Sequence, residues 1–258
     1  MSGTRSPSQK APATRPEREA LLIVTHGDCG GARDNRLANV IAGRMRLTRR
    51  FSDVGIGYMR GTPDLATAAA GLRGDEVRIC PLFTSDGYYV RQAIPERLAI
   101  ANGGSDAGGR RFAIMAPTGL SARLPAIVAA GAGVAAHAAG MTPAAARLLI
   151  VAHGSSKDPA SRQASEALAA AIRAGKTFAG IDTAYLEEAP LLADQLAGLP
   201  GPVVVTGFFI GEGMHGAEDM AAAVERAGRD DLCLAPPLSR SHQLIEAICA
   251  DITAAARQ

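Results

Sequence analysis

The 258-residue sequence has no tryptophan, and aromatic residues make up only 4% of it. The core must therefore be built from aliphatic side chains, which supply enough apolar surface at this length. The formal net charge is only +2, so no strong positive field invites a nucleic-acid partner. No apolar run reaches the roughly 18 residues of a membrane helix, so we expect no membrane partner either.

The chain has few cysteines, and their spacing matches neither a CxxC pair nor a zinc ribbon. Cys29, Cys80, Cys233 and Cys249 are expected to be reduced thiols of a cytoplasmic protein. Residues 1–19 are rich in Ser, Pro, Thr and basic residues and contain no apolar segment. This composition excludes a secretory signal and predicts a disordered tail.

The most informative feature present is an internal repeat. The segment LLIVTHGD at residues 21–28 returns as LLIVAHGS at residues 148–155, an offset of 127 positions (148 − 21). A duplication of this size predicts two domains of about 125 residues each, a common domain size. The predicted division is a tail at 1–19, a first domain at 20–137, a linker at 138–146 and a second domain at 147–258.

Short apolar runs alternate with longer amphipathic stretches in both copies. The predicted strands are 20–25, 54–58, 76–83, 111–116, 147–152, 183–186, 203–209 and 232–235. The predicted helices are 34–49, 64–72, 91–101, 121–136, 159–174, 190–196, 217–227 and 241–255. Strands without polar alternation are typical of a parallel sheet buried on both faces. The predicted fold class is therefore α/β, with two similar, open, doubly wound parallel sheets.

In the second copy, polar side chains lie at the ends of three consecutive strands. His153 follows the first strand directly, Glu187 follows the second, and His215 lies a few residues past the third. Open parallel sheets bind ligands beyond the carboxyl ends of their strands. Imidazole nitrogen and carboxylate oxygen suit divalent Co, Ni, Fe or Zn, and three protein ligands leave coordination positions open. Together these residues predict a reactive metal site, although each alone also fits a structural or solvated role.

The first copy carries a different set at the matching positions. His26 corresponds to His153, while Arg60 replaces the glutamate and Tyr89 replaces the second histidine. Because an arginine repels a cation, the working site is predicted in the second copy, and His26 keeps a role in shaping the site or carrying protons. The loop HGDCGGARD at residues 26–34 leaves open a nucleotide- or phosphate-binding protein. That loop, however, lacks both GxGxxG and a Lys-Ser/Thr ending.

These motifs resemble those of the class II metal chelatases, closest to the sirohydrochlorin cobaltochelatases, with the sirohydrochlorin ferrochelatases nearby. The matching features are a strand that ends in His-Gly-Ser at residues 153–155 and a glutamate, Glu187, shortly before a proline. A Gly-x-His-x-x-x-Asp motif follows at Gly213, His215 and Asp219. The resemblance covers both halves of the chain.

The resemblance implies that a divalent metal, Co²⁺ first and Fe²⁺ or Ni²⁺ as alternatives, is inserted into sirohydrochlorin or a related tetrapyrrole. The pigment would lie in a cleft between two chelatase-like domains, in cobalamin or siroheme biosynthesis. His153 and His215 would be metal ligands, His153 also a base, and Glu187 the third ligand or a proton acceptor. The metal is then a substrate, no organic cofactor is expected, and a homo-oligomer is left open.

The resemblance also implies residues that face the pigment, whose carboxylates suit basic partners. The candidates are Arg60, Tyr88, Tyr89, Lys157, Arg162 and His26. Each of the cations fits a solvated surface position equally well. The alternative functions left open are a ferro- or nickel-chelatase of the same class and a metal-binding homologue without catalysis.

Overall fold

The computed structural model describes residues 19–27, 35–100, 104–106, 109–156, 158–210 and 214–256. The first half contains β1 (Glu19–Thr25), α1 (Arg36–Thr48), β2 (Val54–Tyr58), α2 (Leu65–Ala70), β3 (Glu76–Pro81), α3 (Ile94–Arg97), β4 (Arg111–Ile114) and α4 (Leu124–Ala138). The second half contains β5 (Arg147–Ala152), α5 (Ala160–Ala174), β6 (Gly180–Tyr185), α6 (Leu192–Gly198), β7 (Val203–Gly207), α7 (Met214–Ala227), β8 (Leu232–Leu234) and α8 (His242–Ala255).

The strands form two four-stranded parallel sheets with the same order, β2-β1-β3-β4 and β6-β5-β7-β8. The central strands β1 and β5 are buried along almost their whole length, as parallel strands covered on both faces must be. His26 follows β1 as His153 follows β5. The predicted α/β fold and its internal duplication are therefore confirmed.

The two sheets share one hydrophobic core, because the last helix of each half packs against the other half. Helix α4 packs against α5, β7 and β8 of the second half, and α8 packs against α1 of the first. A single buried cluster accordingly joins side chains of both halves, among them Ile23, Val128 and Ile150. The outer faces have separate cores, under α2 and α3 for one sheet and under α6 and α7 for the other.

Local signals set the ends of several helices. The side chain of Asn35 accepts a hydrogen bond from the backbone N–H of Ala38 at 2.9 Å and so caps α1. Helix α4 ends where Gly140 takes a φ of +72° and the N–H of Met141 bonds back to the carbonyl of Ala136. Such a left-handed residue after a helix strongly favours glycine.

Several predicted boundaries differ from the structure, and four of them are informative. Glu19, predicted in the tail, begins β1 and pairs with Arg78 of β3; residues 1–18 lie outside the described residues. Ala138, predicted in the linker, is the last residue of α4. Strand β6 begins at Gly180, ahead of the predicted 183. The predicted helix at 91–101 is a π-helical turn, Tyr89–Ala93, followed by the short α3.

Three of the cysteines lie in the described part of the chain as free thiols: Cys80, Cys233 and Cys249. Burial raises the pKa of Cys80 to about 12, so this thiol stays protonated and unreactive at neutral pH. Cys29 and most of the glycine-rich loop at residues 26–34 lie outside the described residues. Within the described residues, no helix combines the length and the apolar character that a membrane crossing requires.

Candidate functional site

Loops at the carboxyl ends of the strands of both halves line one open cavity of about 540 Å³. The first half contributes His26, Tyr88 and Tyr89 to its wall, and the second contributes His153, Glu187 and Phe209. A volume of this size falls within the range of small-molecule sites. We call this cavity the cleft. Aromatic rings on both walls suit a flat, apolar ligand.

His153 faces the cleft from the end of β5. Its ring meets the ring of Phe209 edge-on, with centroids 4.9 Å apart. The start of α7 closes another side, since a Cβ at Gly216 would lie only 3.0 Å from Nε2 of His153. The imidazole therefore packs against Phe209 and the start of α7 and remains exposed to the cleft.

Partial burial lowers the pKa of His153 from its ordinary value of 6.5, and the nearby positive form of His26 acts in the same direction. The negative charges of Glu187 and Asp219 oppose this shift without reversing it. At neutral pH the imidazole is therefore neutral. A neutral imidazole is the form that can bind a metal ion or accept a proton.

We expect an NMR titration of the His153 ring to have its midpoint below 6.5. Glu187→Gln should move that midpoint lower still, because it removes a charge that stabilises the imidazolium. The stability that His153 contributes is then complete above pH 6.5 and is lost as the pH falls through the folded-state pKa. Glu96→Gln, on α3 of the first half, serves as a control and should leave the midpoint in place. A midpoint above 6.5 in the unsubstituted protein would contradict this account of the site.

Glu187 lies on the cleft wall beside His153, and its backbone N–H donates to the carbonyl of His153 at 2.9 Å. His215 is the second residue of α7, next to the Gly216 backbone that abuts His153. The side chain of His215 lies outside the described residues. Within the described residues, no three His, Cys, Asp or Glu side chains cluster as a complete metal site, so the three-ligand set stays a prediction.

On the opposite wall, His26 has both ring nitrogens engaged. Its Nε2 lies 2.9 Å from the hydroxyl of Tyr89, and its Nδ1 lies 3.1 Å from the carbonyl oxygen of Gly27. The carbonyl must accept from Nδ1–H, which leaves Nε2 to accept from the tyrosine. Phe83 stacks on Tyr89, with centroids 5.6 Å apart, and fixes that ring. Both ring nitrogens of His26 are thus occupied.

Two of the predicted cationic contacts, Arg60 and Arg162, are not among the described residues that line the cleft. Among the described residues that line it, none is a lysine or an arginine. Arg60 is exposed outside the lining, and Lys157 lies outside the described residues. Arg162 donates to Glu188 instead, at 3.1 Å from Nε and 2.5 Å from Nη2. Burial acts to raise the pKa of Glu188, but the hydrogen bonds from Arg162 and from the N–H of Ser155 outweigh it and hold that pKa below its ordinary range.

Asp158 is a cleft residue that the sequence analysis did not identify. Its Oδ2 accepts from the backbone N–H of Tyr88 in the other half, and its Oδ1 accepts from the N–H of Ala160 at the start of α5, both at 2.9 Å. It therefore joins the two halves at the wall of the cleft. An aspartate just before a helix was the available signal, but it indicates only a cap.

Two equivalent parallel sheets, each placing a histidine on a shared cleft, define the duplicated α/β class to which the metal chelatases belong. The model of the CbiX family matches residues 20–132 and 147–255. The chain therefore belongs to the CbiX family, and the predicted resemblance is confirmed.

Several relatives share this organisation. A solved structure of CbiX, described as the terminal enzyme for biosynthesis of siroheme in denitrifying bacteria, is 29% identical, with a TM-score of 0.73 over 92% of this chain and 99% of that one. SirB from Bacillus subtilis with Fe³⁺ has the same fold, with a TM-score of 0.75 at 16% identity, over 93% of this chain and 96% of that one. A "Probable sirohydrochlorin cobaltochelatase" of Halobacterium salinarum is 32% identical over 82 residues, which cover 32% of this chain and 28% of that relative.

Proposed function

We propose that this protein inserts a divalent metal ion, Co²⁺ foremost, into sirohydrochlorin or a closely related tetrapyrrole. It would act in the cytoplasm on a small-molecule pigment, without an organic cofactor or a membrane or nucleic-acid partner. The observation that carries the proposal is His153, an imidazole with a lowered pKa at the end of β5, which shares a cleft with Glu187 and with aromatic rings. Membership of the CbiX family and the names of the relatives support the same conclusion.

The proposed chemistry follows from what insertion requires. The pigment loses two pyrrole N–H protons when it takes up the ion, so a proton acceptor must lie within hydrogen-bond reach. His153 and Glu187, with His215, would hold the ion, and the two protons would pass to His153 and Glu187 as these groups release it. Nitrogen and oxygen donors that leave coordination positions open let the pyrrole nitrogens bind before the protein ligands dissociate.

The rest of the cleft would orient the pigment. Tyr88 and Tyr89 on one wall and Phe209 on the other offer flat apolar faces. We propose that the His26–Tyr89 pair meets the pigment as a hydrogen-bonding group and does not bind metal, because both nitrogens of His26 are engaged. The carboxylates of the pigment would point toward the mouth of the cleft, and Arg60 and Lys157 are the proposed partners that the sequence offers them.

Fe²⁺ is the second candidate metal, and a specific observation favours it. The relative that matches 92% of this chain at 29% identity is described as an enzyme of siroheme biosynthesis, whereas the cobaltochelatase match covers 32% of the chain. The shared site chemistry suits either ion. The metal that the protein inserts is therefore tested by comparing the ions directly.

An anaerobic insertion assay tests the proposal. Sirohydrochlorin is mixed with the protein and with Co²⁺, Fe²⁺ or Ni²⁺ in turn, and the pigment's absorption bands are followed against the same mixture without protein. We expect the protein to accelerate the metal-dependent band shift, most with Co²⁺. Faster insertion of Fe²⁺ or Ni²⁺ would reassign the metal. Metal binding without any acceleration would indicate a non-catalytic homologue and would contradict the proposal.

A further inference from the structure

A carboxylate ties together the two loops that carry His153 and Glu187. Glu188 accepts a hydrogen bond on Oε1 from the backbone N–H of Ser155 at 3.0 Å. On Oε2 it accepts from Nε and Nη2 of Arg162, at 3.1 and 2.5 Å. The side chain of Glu188 is only 15% exposed, and hydrogen bonds between charged groups in such surroundings are among the stronger ones. We call this arrangement the Glu188–Arg162 clamp.

The clamp is anchored in the body of the second half. The guanidinium of Arg162 lies 4.7 Å above the ring centroid of Tyr185 and also donates to the carbonyl of Ala189. Tyr185 is fully buried at the end of β6, and its hydroxyl lies 3.2 Å from Oγ of Ser165 on α5. The position of Glu188 is therefore set by a helix and a strand and not by the loops alone.

The clamp reaches both candidate donors through very short stretches of backbone. Ser155 is two residues beyond His153, and Glu188 follows Glu187 directly. Gly154, between His153 and Ser155, has a φ of +74°, and a Cβ there would lie 2.7 Å from Cγ of Glu188. The Glu188 side chain therefore contacts the loop of His153 directly and is itself part of the loop of Glu187.

The first half repeats the scaffold without the clamp. At the offset of 127, the counterparts of Tyr185, Glu188 and Arg162 are Tyr58 (185 − 127), Gly61 (188 − 127) and Asn35 (162 − 127). Asn35 instead donates to Oγ1 of Thr25 and caps α1. The tyrosine is kept, and both charged partners are absent. The clamp accompanies the half that contains the His–Glu–His set.

We propose that Glu188 is a positioning residue of the metal site, a step that rests on the proposed function. Its carboxylate holds the loop of His153 against the loop of Glu187, so that both donors face one ion before that ion arrives. Groups that orient metal ligands through hydrogen bonds typically change metal affinity by about 10–100-fold when they are replaced. The absence of the clamp from the first half then has a reason. Only a half that binds an ion needs its two loops held in this way.

The test measures Co²⁺ binding in the absence of pigment. Glu188→Gln keeps the size of the side chain but removes its negative charge. The amide has one oxygen in place of two, so it cannot accept from Arg162 and from Ser155 on separate oxygens. We expect the Co²⁺ dissociation constant from calorimetry to rise about 10–100-fold. We also expect the visible absorption of bound Co²⁺ to change, because that spectrum responds to ligand number and geometry.

Asp182→Asn is a matched control. Asp182 on β6 accepts two hydrogen bonds from Arg147 on β5, at 2.9 and 3.0 Å, across the same pair of strands and near their opposite end. Both substitutions remove one charge and break one arginine pair, so thermal stability should fall comparably. The control should retain wild-type Co²⁺ affinity and spectrum. Arg162→Lys, which keeps both charges, provides a milder second variant if Glu188→Gln does not fold.

Equal Co²⁺ affinity and equal spectra in Glu188→Gln, Arg162→Lys and Asp182→Asn would overturn the clamp and leave the proposed function standing. Failure of the wild-type protein to insert any of the three metals would overturn the proposed function. In that case Co²⁺ affinity would still report on the clamp, because its measurement needs no pigment. The two failures are therefore distinguishable.

Discussion

His153→Ala is expected to abolish metal insertion into sirohydrochlorin, whereas His26→Ala is expected to retain most of it. Loss of a general base alone typically slows a reaction about 10²–10⁴-fold, and His153→Ala removes a proposed metal ligand as well. Both ring nitrogens of His26 already form hydrogen bonds, with Gly27 and Tyr89. His26→Ala therefore removes only these bonds at the cleft wall. The measurement is the initial rate of the pigment's band shift under identical anaerobic conditions.

The two variants control for each other, since each removes an imidazole that follows the central strand of its sheet. Circular dichroism should show both to be folded. Glu187→Gln adds a third comparison, because it keeps the shape of the side chain and removes only its charge. If His26→Ala is the more damaging variant, the working site belongs to the first half and the assignment to the second half is wrong.

Residues 147–258, which the repeat marks as a complete second domain, are expected not to fold when produced alone. In the full chain α4 covers β7 and β8, and α8 packs on α1. Each fully buried Leu or Val side chain contributes about 1.5–3 kcal/mol, and a whole domain is stable by only about 5–15 kcal/mol. Loss of α4, with Leu124, Val128 and its buried alanines, removes much of that margin. Thermal unfolding followed by circular dichroism provides the measurement.

A longer fragment isolates the contribution of α4. Residues 124–258 restore this helix and should unfold cooperatively, at a lower temperature than the full chain because α8 still lacks α1. The full chain itself should unfold in one transition, since a single cluster joins its halves. Cooperative unfolding of residues 147–258 at the temperature of the full chain would show that each half is an independent domain after all.

Several features of the fold followed from local patterns. The apolar strands beginning LLIV could be read directly, because a strand buried on both faces has no polar alternation. The third helix of the first half was misplaced because the π-helical turn at Tyr89–Ala93 has no simple periodic signature. The exchange of α4 and α8 was not predicted, since the apolar stripe of a helix shows that it packs but not against which sheet.

In the candidate site, too, the sequence could place some residues and not others. His153 and Glu187 could be placed on one cleft, because the carboxyl ends of parallel strands lie along one edge. The sequence is compatible with Arg162 either as a pigment contact or as a solvated cation, whereas in the structure it pairs with Glu188, 26 positions away (188 − 162) in the sequence. No periodicity links such a pair. The choice between a solvated, a paired and a ligand-facing cation depends on which carboxylate the fold brings near.

The sequence by itself determined the duplication, the α/β class, the family resemblance and the half that carries the intact His–Glu–His set. These properties are carried by residues close together in the chain, or by the repetition of such groups at a fixed offset. Only the tertiary structure decided that the halves share a core, that His26 is hydrogen-bonded to Tyr89, and that Glu188 pairs with Arg162 and bonds the loop after β5. Each of these depends on contacts between residues distant in sequence, and such contacts exist only once the two sheets have packed together.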